Sequence, residues 1–95
     1  MTEKEKILKK INYNLNAPHA EAAYNFNILI DQIFDFIRNA GLYDFYVNSG
    51  AGWYELYFRL YNSSGRFFGS KLWGIYNDQK EILKICRNII ANKIK

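Results

Sequence analysis

The chain is predicted to fold as an α+β domain, α-α-β-β-β-α in order, with a three-stranded antiparallel sheet and helices packed mainly on one face. Three observations predict this. Apolar residues recur at helical spacing up to Ala40 and the period drops to two after Gly41. Turn-forming Ser49-Gly50-Ala51-Gly52 and Asn62-Ser63-Ser64-Gly65 divide the period-two stretch into three pieces. Helical spacing returns after Asn77. At 95 residues, the chain is read as one domain, 1–95.

Thr2 and Glu5 form a capping-box pattern that opens a first helix. Ile7, Leu8, Ile11 and Leu15 share one of its faces. The helix is short and is expected to pack loosely. Asn16-Ala17-Pro18 reads as a stop and restart, because proline is tolerated in a helix's first turn. A second helix is expected from Pro18 to Ala40, ended by Gly41. Phe26, Leu29, Ile30, Ile33, Phe34 and Ile37 lie on its apolar side, and Asp31 and Asp35 on its polar side. Tyr24 and Ile28 fall on the polar side as well, against the first helix or in solvent.

Leu42–Asn48 reads as the first strand and Trp53–Tyr61 as the strongest one. In the latter, Tyr54, Leu56, Phe58 and Leu60 point to one face, toward the helices. Trp53, Glu55, Tyr57, Arg59 and Tyr61 point to the other. Arg66–Tyr76 is a third strand, and Gly69 and Gly74 within it signal a bulge or a frayed end. Asn77 or Asp78 caps the last helix, with Glu81 in its first turn. Its buried face is built from Ile82, Leu83, Ile85, Cys86, Ile89 and Ile90. Lys80, Lys84 and Arg87 form a basic stripe opposite.

Composition narrows the chemistry. Aromatics make up 18% of the chain, as 8 Tyr, 7 Phe and 2 Trp. That exceeds what a core of this size needs, so some aromatic surface should be exposed or covered by a partner. Net charge is +4, but residues 17–48 hold one Arg against Glu21, Asp31, Asp35 and Asp44, and the C-terminal segment is basic. Cys86 is the only cysteine, which rules out an intramolecular disulfide and fits a reducing compartment. Residues 1–16 lack an apolar signal core, and no stretch approaches a membrane span. The expected location is cytoplasmic. Asn62-Ser63-Ser64 is read as a turn rather than a glycosylation site.

No catalytic or metal-binding motif emerges. A structural zinc site needs about four Cys or His ligands, and the chain has Cys86 and His19. Asp31 and Asp35, four residues apart, read as a solvated helix face rather than a metal site. Cys86 lies among isoleucines and reads as an inert core thiol. His19 has no carboxylate placed beside it and reads as structural or surface. A small nuclease would set Asp44 and Glu55 across a hairpin with a lysine two residues after Glu55, but that position is Tyr57. Neither an enzyme nor a cofactor-binding protein is expected.

The remaining signal is the outer sheet face. It is expected to display Tyr46, Trp53, Tyr57, Arg59 and Tyr61, with Lys71 and Trp73 from the third strand. Aromatics interleaved with cations suit base stacking, and Trp, Tyr and Arg also make protein hot spots. A third option is that cross-strand pairing, or cover by the first helix, accounts for these residues. Glu55 in the middle of the face would repel phosphate, which favours a protein partner.

The element order from Pro18 to Lys95 resembles the double-stranded-RNA-binding domain. That family's lysine cluster at the start of its last helix is replaced by Asn77-Asp78-Gln79-Lys80, and its loop histidine is missing from Ser49-Gly50-Ala51-Gly52. Over the whole chain, size, aromatic load and the Asn-, Ile-, Lys- and Tyr-rich usage of an AT-rich genome resemble small phage or mobile-element anti-defence inhibitors such as anti-CRISPR proteins. This resemblance rests on size and composition. It implies a non-catalytic inhibitor that occludes a host protein, such as a nuclease or nucleoprotein complex, through the aromatic sheet face or the Asp31/Asp35 helix face. Two alternatives stand beside it: a homodimer, and an RNA or single-stranded nucleic-acid binder using Lys80, Lys84 and Arg87.

Overall fold

The computed structural model describes the backbone of residues 1–95 and every side chain except those of His19, Ala20, Ala22, Ala23 and Tyr24. The readings of the His19 and Tyr24 side chains therefore lie outside the described residues. The elements are α1 (Glu3–Asn16), α2 (His19–Asn39), β1 (Phe45–Gly50), β2 (Trp53–Tyr61), β3 (Phe67–Tyr76) and α3 (Gln79–Lys93). The sheet is antiparallel with order β1-β2-β3. The α-α-β-β-β-α order and α+β class are those read from the sequence. β1 starts and ends later than the hydrophobic pattern suggests, because Ser49 and Gly50 pair with Tyr54 and Trp53. Only Ala51-Gly52 remains as the turn, and Gly52 supplies a φ of +85°.

Local chemistry sets the helix ends. The Thr2 hydroxyl accepts from the Glu5 N–H at 3.1 Å, and the Glu5 carboxylate accepts from the Thr2 N–H at 3.3 Å. Asp78 and Glu81 repeat this reciprocal box at the start of α3. α1 and α3 lie antiparallel and cap each other through lysines. Lys4 Nζ donates to the Ile94 carbonyl at 2.6 Å, and Lys80 Nζ donates to the Ala17 carbonyl at 3.0 Å. α1 has no basic residue in its own last turn, so α3 supplies the charge that the negative end of its dipole favours.

The core lies between the helices and one sheet face. Ile11, Ile33, Ile37, Leu56, Ile82 and Ile90 are fully buried there. α1 is not loosely attached: it packs against both α2 and α3, and its Ile7 and Ile11 are buried in the core. Ile28 stands in solvent on the polar side of α2. Asn14 is the exception in this core. It is 6% exposed; its Nδ2 donates to the Lys10 carbonyl at 2.9 Å, while its Oδ1 has no partner among the described residues. An orphaned buried carbonyl costs about 1–3 kcal/mol. Asn14→Leu is therefore expected to raise stability by about 1 kcal/mol or more, read as a higher urea midpoint at unchanged slope.

β3 carries two bulges. Leu56 pairs with Gly74 but Tyr57 with Leu72, and Leu60 pairs with Gly69 but Tyr61 with Phe67. Trp73 and Phe68 are thus the extra residues, each next to one of the glycines that flagged irregularity. In the β2–β3 turn, Asn62 Oδ1 accepts from the Ser64 and Arg66 N–H groups at 3.0 and 2.9 Å, and Gly65 adopts φ +80°.

Candidate functional site

Directly paired residues on antiparallel strands share a face, so the register assigns every sheet residue a side. Phe45, Val47, Tyr54, Leu56 and Phe58 face the helices. Tyr54 meets Phe26 with ring centroids 6.1 Å apart, and Phe45 meets Phe34 at 5.8 Å. This inner set is as the alternation in β2 predicts.

Trp73 and Lys71 are not on the outer face, contrary to expectation. Counting back from Tyr76 by strict alternation would put them beside Ile75 and away from the helices. The bulge at Trp73 inserts one residue and reverses the phase. Trp73 instead sits edge-on to Tyr43, Phe45 and Phe58, at 4.9, 5.1 and 5.9 Å. Lys71 pairs with Phe58 and lies on the same helix-side face, exposed at the free edge of β3. The same shift turns Leu72 outward, to join Ile75 and Phe67, which alternation from Tyr76 already places there. Phe67, Leu72 and Ile75 pair with Tyr61, Tyr57 and Glu55, and all three are exposed.

The outer face therefore holds Tyr46 on β1, the Trp53–Tyr61 alternates on β2, and an apolar strip on β3. Among the described residues no helix covers it: α1 packs on α2 and α3, and α2 meets the opposite side through Phe26 and Phe34. Trp53 and Tyr61 remain 42% and 48% exposed. Trp53 lies across Gly50, its cross-strand partner, where any larger residue would collide with the indole.

Toward the β1 side the face becomes polar in an ordered way. Tyr46 and Tyr57 stack at 5.3 Å with planes 12° apart. The Arg59 guanidinium lies 4.6 Å over the Tyr46 ring. Arg59 Nη1 donates to Asp44 Oδ1 at 3.1 Å, and the Tyr61 hydroxyl donates to Asp44 Oδ2. That hydrogen bond favours the protonated phenol and raises the Tyr61 pKa. Asp44 thus anchors Arg59 and Tyr61 rather than facing Glu55, which lies opposite Asn48. The paired-acid nuclease geometry does not form.

Asp31 and Asp35 are exposed on α2, with Asp35 bound to Arg38 at 2.8 Å. They line a cleft of about 400 Å³ with Asp44, Tyr46 and Arg59. The fold thereby joins the acidic helix side to the aromatic sheet face around the β1 edge. No group of three His, Cys, Asp or Glu suited to a metal occurs among the described residues. No helix among the described residues is long and apolar enough to cross a membrane.

The basic stripe of α3 is divided. Lys84 is exposed and Arg87 half-buried, but Lys80 is committed to the Ala17 carbonyl. Cys86 is fully buried, and desolvation pushes its thiol up to about 12. A thiol held protonated in this way is a poor nucleophile.

Comparison with protein-family models, with curated proteins and with solved structures returns no match.

Proposed function

We propose that the chain is a non-catalytic protein-binding module whose docking surface is the outer sheet face. The observation that carries this is the apolar and aromatic face left uncovered by three helices that all pack elsewhere, centred on Trp53, Tyr57 and Tyr61. Exposed contiguous apolar surface of this kind marks interaction sites, and Trp, Tyr and Arg dominate their energetics. In line with the anti-defence resemblance, the module acts as an inhibitor by occluding a host protein, with Asp31 and Asp35 as the acidic rim of the contact. Glu55 in mid-face and the engagement of Lys80 weigh against a phosphate-binding surface.

The test is affinity capture with a tagged chain, in host lysate that also contains the untagged chain. A stoichiometric protein, either a host protein or the untagged copy, is expected in the eluate. Trp53→Ala or Tyr61→Ala should weaken its capture at least about 30-fold, the scale of a 2 kcal/mol hot spot. Lys84→Glu, on the far side, should leave capture unchanged. Recovery of nucleic acid alone, lost with rising salt and sensitive to Lys84→Glu, would replace this reading with the nucleic-acid one.

A further inference from the structure

The outward side chains of β2 are Trp53, Glu55, Tyr57, Arg59 and Tyr61. In order they run aromatic, acid, aromatic, base, aromatic. The series reverses in charge about Tyr57 and repeats in shape. β2 is the central strand, so this series forms the midline of the uncovered face.

Such a pattern is self-complementary under one particular symmetry. Consider two of these faces stacked with a two-fold axis between them, running across the strands at the level of Tyr57. The two β2 strands then lie antiparallel. Glu55 of each copy faces Arg59 of the other, Trp53 faces Tyr61, and Tyr57 faces its own counterpart. Residues two apart in a strand are separated by about 7 Å, and stacked sheets lie about 10 Å apart. Both charges are within side-chain reach at that spacing. The other in-plane axis, parallel to the strands, would set Glu55 on Glu55 and Arg59 on Arg59. Charge therefore selects the first arrangement.

We infer that the outer sheet face is the interface of a two-fold homodimer in which Glu55 and Arg59 pair reciprocally across the axis. This rests on the reading of that face as a protein-docking surface, and it names the occupant as a second copy of the chain. Three further observations support it. Glu55 has no ion-pair partner among the described residues. Arg59 gives Nη1 to Asp44, and its Nη2 has no partner among the described residues. On β3, Leu72 pairs with Tyr57 and so meets its own counterpart on the axis, adding an apolar contact at the centre. Edge-to-edge pairing through β3 is opposed by its two bulges and by Lys71 on the edge. In the face-to-face dimer Asp31 and Asp35 stay outside the interface, so the host protein is left to the acidic helix side of each copy rather than to the sheet face.

Sedimentation velocity tests the inference. Wild-type protein is expected to run as a dimer. Tyr57→Lys and Tyr57→Glu each bring like charges together on the axis and should weaken association at least about 100-fold. Mixed in equal amounts, these two variants should regain the dimer, because the new ammonium then meets the new carboxylate. Glu55→Arg and Arg59→Glu should behave in the same way, monomeric alone and dimeric together. Circular dichroism of each variant confirms the fold, and the Tyr57 pair leaves the Asp44–Arg59 contact untouched. A wild-type monomer at every concentration, or a dimer indifferent to Tyr57→Lys, overturns the inference. If that monomer captures a different protein and Tyr57→Lys abolishes capture, the homodimer alone falls and the docking face stands. If no protein is captured either, both readings fall.

Discussion

Leu56→Ala is expected to destabilise the fold by about 3–4 kcal/mol, well within the range for removing a buried leucine. Leu56 is fully buried at the centre of the middle strand, opposite Val47 on one side and Gly74 on the other. Gly74 has no side chain to move into the space left behind. The Tyr76 ring already lies over that glycine, so close that any β-carbon there would collide with its hydroxyl end. The cavity therefore stays open, which is the condition under which large-to-small substitutions cost most. For a domain of this size the melting temperature should fall by roughly 15 °C. Ile75→Ala, one residue from Gly74 but 58% exposed on the outer face, should change the stability of the monomeric Tyr57→Lys variant by less than about 0.5 kcal/mol. Equal losses for the two would mean that the faces are assigned the wrong way round.

Above pH 9 the fold is expected to lose stability, with Cys86 as a defined contributor. Its thiol titrates near 9 when exposed in the unfolded chain and near 12 in the fold. Below pH 9 it is protonated in both states and adds no pH dependence. Between pH 9 and 12 the unfolded chain releases a proton that the folded chain retains, so stability falls as pH rises. One such group contributes a slope of up to about 1.4 kcal/mol per pH unit, and on the order of 4 kcal/mol across the whole window. Tyr76, whose pKa is raised by burial, and Tyr61, raised by its bond to Asp44, act in the same direction. The Cys86 share is isolated by comparing urea unfolding of wild type and Cys86→Ala from pH 8 to 11. The variant should be modestly less stable at pH 8, and its alkaline decline should be shallower by about one proton. Parallel declines would show that the thiol is not the group being titrated.

The fold was largely legible because its signals are local. The period change at Gly41, the capping boxes at Thr2/Glu5 and Asp78/Glu81, and the Asn62–Gly65 turn each depend on residues within a few positions of one another. Strict alternation in β2 was enough to sort Tyr54, Leu56 and Phe58 from Trp53, Tyr57, Arg59 and Tyr61, because that strand runs through the sheet without an inserted residue. The same rule misplaced Lys71 and Trp73. A bulge arises from how β3 meets β2, and Gly74 hinted at it without saying which residue would be extra. The neighbours of Tyr43 and Asp44 were hidden for a similar reason. Both precede β1, yet their side chains meet Trp73 and Arg59.

The order of elements, the helix boundaries, the inert thiol and the charge-reversing series of β2 follow from the amino-acid sequence, since each is set by nearest neighbours or by the two-residue strand period. Tertiary structure alone decided that α1 packs on α2 and α3 and leaves the outer face uncovered. It also decided that Lys80 closes the end of α1 instead of standing free, that Leu72 widens the apolar face, and that Asp31 and Asp35 adjoin it around β1. These are matters of packing between residues far apart in the chain. No local period encodes them, because they depend on which surfaces exclude water together once the helices and the sheet meet.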